Sequence, residues 1–113
     1  MVTAETAVVL PVLLLVLAGA VAAIVLVGAQ LRCIDATREG VRAAARGEAA
    51  SAVTEIVRRA APDGAAVSVT RTGDEVRVAV AVDVAPLGPV PLHVRVTAEA
   101  VARLEPGAEG GSG

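Results

Sequence analysis

Residues 6–31 read TAVVLPVLLLVLAGAVAAIVLVGAQL and contain no charged side chain. Glu5 precedes this stretch, called here the apolar run, and Arg32 follows it. A helix needs about 20 apolar residues to cross the hydrocarbon core of a bilayer, at about 1.5 Å per residue. The 26 residues of the run meet that length. Because this helix is so apolar, we predict that it lies either in lipid or against the helices of other chains.

Composition argues against a nucleic-acid-binding protein and limits the size of the folded domain. The chain has 113 residues, a formal net charge of −2 and no Phe, Tyr or Trp. All its cationic side chains except one His are Arg, and Arg without aromatic partners is poorly suited to binding nucleic acid. Outside the run about 75 residues remain, enough for one small domain with a thin core of Val and Ala.

Helical periodicity continues past the run. We predict one helix from near Thr3 to about Arg46, apolar all round in its first half and amphipathic in its second. Its second half should bury an apolar stripe of Leu31, Ile34, Val41 and Ala45. Gly47 is predicted to end or bend this helix, and a second helix is expected over Ala49–Ala60, before Pro62.

The periodicity then changes from 3.6 to 2. Strands are predicted over Val67–Arg71, Glu75–Ala85 and Leu92 to about Arg103, with a hairpin turn at Thr72–Asp74. The valines at even positions 76–84 should form the buried face of the middle strand. These elements predict an α+β fold with a three-stranded antiparallel sheet. We divide it into a membrane or assembly helix (1–31), a head that continues from it (32–105) and a flexible tail or linker (106–113).

Three residues within the run bear on how its helix packs. Pro11 lacks a backbone N–H and is expected to kink or loosen the first turns, which neighbouring helices can tolerate. Gly19 and Ala23 are four residues apart, a spacing that lets helices approach closely. We therefore predict helix packing around these positions.

Few side chains suggest chemistry. Cys33 is the only cysteine, so no intrachain disulfide can form; a packing role near the membrane is favoured over an intermolecular bridge or lipid attachment. His93 is predicted to be exposed and without a function. No cysteine or histidine cluster suits a metal, and no phosphate loop or nucleophile motif is present. The sequence therefore predicts a protein that is not an enzyme and has no cofactor, metal or small-molecule substrate.

Glu5 has two interpretations. A carboxylate in the first turn of a helix is favoured by about 0.3–1 kcal/mol, which would make it an interfacial residue. Alternatively it is a buried acid that needs a positive partner. The distribution of Arg leaves topology open as well: four Arg side chains follow the run within 15 residues and none precedes it. Either the N-terminus lies outside, or a basic leader once preceded Met1.

Residues 2–15, VTAETAVVLPVLLL, resemble the start of TadE-like proteins, the small pilin-like subunits of the tight-adherence (Tad) branch of type IV pili. Residues 30–47, QLRCIDATREGVRAAARG, look like the version found in actinobacteria. The resemblance covers roughly residues 2–60. Its most specific feature is a glutamate five residues from the start, directly before a long apolar helix.

The resemblance implies a precursor with a short basic leader that a prepilin peptidase removes. Met1 then stands at the mature N-terminus, and the lost leader accounts for the distribution of Arg. It also implies that Glu5 neutralises the N-terminal amine of a neighbouring subunit in the assembled pilus. The chain would first lie in the cytoplasmic membrane, with a single span and the head outside, and then reach the cell surface in a pilus involved in adhesion.

The predicted function is that of a structural minor pilin that is incorporated into a Tad pilus or primes its assembly. Its partners would be other pilin subunits, contacted through the N-terminal helix. Two alternatives remain open: a single-pass envelope or secretion-system scaffold that does not polymerise, and the main filament subunit. The head is longer than in the very short major pilins of this class, which favours the minor role.

Overall fold

A computed structural model describes residues 3–103 and confirms the predicted α+β fold. Its elements are α1 (Ala4–Ala45), α2 (Ala50–Ala60), β1 (Ala66–Thr72), β2 (Glu75–Val84) and β3 (Val94–Arg103). The molecule is elongated, with extents of 81 × 20 × 18 Å. The predictions for Met1 and for the tail at 106–113 lie outside the described residues.

Helix α1 ends in a hydrogen-bonded reversal that returns the chain to its own surface. Gly47 adopts φ +90°, a left-handed conformation that costs glycine little. Its N–H donates to Ala44 O at 3.0 Å, and the N–H of Glu48 donates to Ala43 O at 3.2 Å. This is the Schellman arrangement, which satisfies the last carbonyls of a helix. The predicted break at Gly47 is therefore confirmed, and α2 packs back on α1.

The sheet has strand order β1-β2-β3, and both pairs are antiparallel. Gly73, at φ +60°, makes the two-residue turn between β1 and β2. Alternation along β2 is as predicted: Val76, Val78 and Val80 are buried, whereas Arg77 is exposed. β3 begins at Val94 instead of Leu92, because the N–H of Leu92 donates locally to Val90 O, at 2.7 Å, instead of extending the ladder.

Half of the stripe predicted for the second half of α1 is confirmed, because Val41 packs against the core and Ile34 is partly buried. The other half is wrong. Leu31 is 56% exposed, and Ala45 is also exposed. Small residues form the buried face instead: Cys33, Ala36, Thr37, Gly40, Ala43 and Ala44. The valines of β2 and α2 already supply the bulk of the core, so the helix reaches them only where its own side chains are short.

Gly40 marks the closest approach. A Cβ added there would lie 2.5 Å from Cγ2 of Val57 and 3.1 Å from Cγ1 of Val78. Both valines are fully buried. The close contact of α1 with the head therefore depends on glycine, which has no side chain, at position 40.

Candidate assembly helix

The N-terminal end of α1 is capped by Thr3. Its Oγ1 accepts a hydrogen bond from the N–H of Thr6 at 3.3 Å, and its carbonyl oxygen accepts one from the N–H of Ala7 at 3.1 Å. A threonine in this role satisfies one of the otherwise unpaired N–H groups of the first turn. Glu5 lies in that capped turn with an exposed side chain. The structure thus places its carboxylate at the positive end of the helix dipole.

In the described part of the chain, the large apolar side chains of the first twenty residues of the run are all exposed. Leu15 is 72% exposed, and Ile24 is 73% exposed. The most apolar 18-residue window of α1 has a mean hydropathy of 3.0, and none of that window is buried. By length and composition α1 fits a single-pass membrane anchor. An isolated chain in water would expose a continuous apolar surface along this helix.

The three packing positions lie on this uncovered part of α1. The helix continues through Pro11 without a break. Gly19 and Ala23 are exposed, and a Cβ added at Gly19 would meet no atom within 4 Å. None of the elements within residues 3–103 packs against Gly19, and the contact of Gly19 and Ala23 with another helix stays a prediction.

One apolar depression on α1 was not predicted. It is lined by Ala23, Ile24, Val27, Gly28 and Leu31. A Cβ added at Gly28 would meet nothing within 4 Å, so the missing side chain leaves open space on the helix surface. Gly28 follows Ile24 by one helical turn, and that i, i+4 spacing is the sequence signal for this depression.

The end of the run belongs to the contact with the head. Leu26 and Ala29 pack against the buried core. The side-chain amide of Gln30 donates from Nε2 to Thr97 O on β3, at 2.8 Å. Gln30 is the only polar side chain of the run after Thr6. Because a polar group among apolar ones needs a hydrogen-bond partner, this amide was the sequence signal of a hydrogen bond to a group outside the run.

Cys33 lies in the core, fully buried. Burial raises the pKa of its thiol above the usual value, and the positive charge of Arg32 lowers it by less. The thiol is therefore protonated at pH 7 and shielded from oxidants and acyl donors. The packing interpretation of Cys33 fits this geometry, whereas a bridge or a lipid attachment would require the head to open.

The other described ionisable side chains of the head lie on its surface. His93 is exposed, in the loop directly before β3. On the outer face of the sheet, Arg77 pairs with Glu99 at 3.2 Å and Arg95 with Asp83 at 3.5 Å, all four side chains being about half exposed or more. Among residues 3–103, no group of three His, Cys, Asp or Glu side chains could hold a metal ion.

Comparison with known proteins agrees with the resemblance found in the sequence. The family model described as "TadE-like protein" matches residues 1–42, which confirms that resemblance. The chain is 46% identical over 70 residues to "Apoptosis inhibitor Rv3655c" of Mycobacterium tuberculosis (strain ATCC 25618 / H37Rv), covering 62% of this chain and 55% of that protein. The chain thus spans about half the length of this curated relative, whose source is consistent with the actinobacterial type. No solved structure matches the chain.

Proposed function

We propose that this chain is a structural, non-enzymatic minor pilin of a Tad-type pilus. The observation that carries the proposal is the form of α1. Its first half is apolar and exposed, its capped first turn carries Glu5, and all of the helix except its last three residues lies within the segment that matches TadE-like proteins. A helix of this kind suits two successive environments, first lipid and then the core of a helical filament.

Assembly in this proposal follows removal of a leader by a prepilin peptidase, which leaves Met1 at the mature N-terminus. The apolar run holds the chain in the cytoplasmic membrane with the head outside. It then leaves the lipid and packs among the helices of other pilin subunits, using the small residues Gly19 and Ala23. Pro11 weakens the first turns where neighbours can satisfy the freed carbonyl.

Glu5 is the specific element of this proposal. Once the helix enters a filament core, its carboxylate is removed from water and requires a positive partner. The N-terminal amine of a neighbouring subunit faces the same problem. Pairing the two charges satisfies both and fixes the register of one helix against the next.

The two alternatives differ in where the protein ends up. A scaffold anchored in the envelope keeps α1 in lipid permanently, and its Glu5 stays at the membrane interface. The main subunit of the filament would be the most abundant protein in a pilus preparation. The minor role predicts incorporation in few copies, and the size of the head, with two packed layers, supports it.

Shearing pili from cells tests the proposal. We expect the chain to be recovered in the sheared filaments, at a small fraction of the most abundant pilin, when immunoblots of the filament and membrane fractions are quantified. Recovery only in the membrane fraction would contradict it and support the scaffold. Recovery as the dominant filament protein would support the main-subunit alternative.

A further inference from the structure

Strand β3 runs alongside α1 in the same direction. Near one end of the contact, the amide of Gln30 bonds to Thr97 O. Near the other, Gly40 lies against Val78, whose partner on β3 is Ala100. The residue numbers of α1 and β3 therefore both increase from the first contact to the second. It follows that Val94, where β3 begins, and the loop before it point back toward the apolar run.

The level of this loop along α1 follows from the geometry of the elements. Val94 lies three residues before Thr97 on β3, which is about 10 Å of strand. The same distance along α1 corresponds to about seven residues counted back from Gln30, since a helix rises about 1.5 Å per residue. The lower end of the sheet is therefore level with Ala23. Below it lie residues 6–23, about 27 Å of helix, close to the thickness of a bilayer core.

The loop is apolar apart from His93 at its end. Residues 84–92 read VAPLGPVPL and carry no charge. Val90 is 47% exposed and Leu92 is 44% exposed, whereas Pro86 is buried and holds the loop to the head. Three prolines restrict the backbone, so little conformational freedom is lost when the loop meets a surface.

We propose that the β2–β3 loop, residues 85–93, rests on the lipid bilayer through its apolar residues 85–92 when the chain is anchored. Val90 and Leu92 then insert into the boundary between headgroups and acyl chains, where exposed apolar side chains are stabilised. Because the loop and α1 contact the membrane together, they fix the depth and tilt of the head before assembly. This inference rests on the membrane anchoring in the proposed function. The bilayer is chosen over a neighbouring subunit because residues 6–23, which lie below the level of the loop, are long enough to cross the bilayer core.

The absence of aromatic residues makes the test clean, since one introduced tryptophan is then the only fluorophore. The full chain is reconstituted at low protein-to-lipid ratio in phosphatidylcholine vesicles with or without brominated acyl chains, which quench nearby tryptophan. The test variant is Leu92→Trp. The matched control is Val101→Trp, which is 47% exposed and lies near the far end of β3, the strand that follows the loop. Leu15→Trp, within the run, reports insertion.

We expect brominated lipid to reduce the emission of Leu92→Trp and Leu15→Trp strongly and to leave Val101→Trp unchanged. Emission of Leu92→Trp should also be shifted to shorter wavelength than that of Val101→Trp. If Leu15→Trp is quenched and Leu92→Trp is not, the loop does not touch lipid, and the inference fails while the anchor stands. If neither is quenched, the anchor fails as well. Val90→Trp serves as a second probe should Leu92→Trp leave Cys33 open to alkylation, the sign of a misfolded head.

Discussion

Replacing Gly40 with alanine is expected to destabilise the head by about 1–3 kcal/mol, the usual cost of overfilling a packed core. On an exposed helix the same change would stabilise by about 1 kcal/mol, because alanine is the better helix former. Here the added Cβ would lie 2.5 Å from Cγ2 of Val57, which is fully buried, so any shift of Val57 must disturb the packing of the core around it. The steric term should therefore exceed the gain in helix propensity.

Cys33 provides the measurement, because it is the only cysteine and is fully buried. Its alkylation as a function of urea concentration, in detergent micelles, reports the opening of the head. The matched control is Gly19→Ala on the same helix, where a Cβ meets nothing within 4 Å and the head should keep its stability. An equal midpoint for Gly40→Ala and the wild type would show that α1 does not approach the head this closely.

A double mutant separates steric conflict from other causes. Val57→Ala alone should destabilise by about 2 kcal/mol through the cavity that it leaves. Combined with Gly40→Ala, it removes the methyl group that the new Cβ would strike. The double mutant should therefore lose less unfolding free energy than the sum of the losses in the two single mutants, by at least about 1 kcal/mol.

Glu5→Ala is expected to abolish incorporation into pili while leaving insertion into the membrane intact. If the carboxylate pairs with a neighbour's N-terminal amine in the filament core, its removal leaves that amine buried and unpaired, at a cost of about 3–5 kcal/mol. Each 1.4 kcal/mol is about tenfold in an equilibrium constant, so incorporation should fall by at least about a hundredfold. Insertion does not need the carboxylate, because the apolar run is unchanged. Quantifying the chain in filament and membrane fractions measures both effects.

Two further variants isolate the charge. Glu5→Gln keeps the shape of the side chain and should fail to incorporate as well. Thr3→Ala keeps the charge but removes the N-cap hydrogen bond at 3.3 Å, so it frays the same turn and should still incorporate. Wild-type incorporation of Glu5→Gln would show that the charge is not required.

The fold was predictable where the periodicity of apolar residues in an element determined which of its faces is buried. Along β2 every second residue from Val76 to Val84 is valine, so the buried face followed from the pattern. The buried face of α1 followed only in part. Val41 does pack against the core, but hydrophobicity also points to Leu31, which is exposed, whereas close packing requires short side chains. The signal lay in the spacing of the small residues from Cys33 through Gly40 to Ala44, which carries little hydrophobic weight.

The candidate site was predictable only in part. The span, the position of Glu5 in the first turn and the small residues of the run are properties of adjacent residues. The contact of Gln30 with Thr97 joins residues 67 positions apart, so local patterns could not reveal it. The level of the β2–β3 loop beside α1 depends on the same long-range contact and became visible only in the folded chain.

In the proposed assembly, the apolar run exchanges lipid for the helices of neighbouring subunits. Photo-crosslinking from Leu15, which is 72% exposed and lies in the first half of the run, tests this exchange. With benzoylphenylalanine at position 15, irradiation of sheared pili should give a covalent adduct with the N-terminal helix of another pilin, identified by mass spectrometry. Irradiation of membranes before assembly should give lipid adducts. Lipid adducts alone, with the chain absent from crosslinked pilin in every fraction, would contradict the exchange and leave a permanently anchored protein.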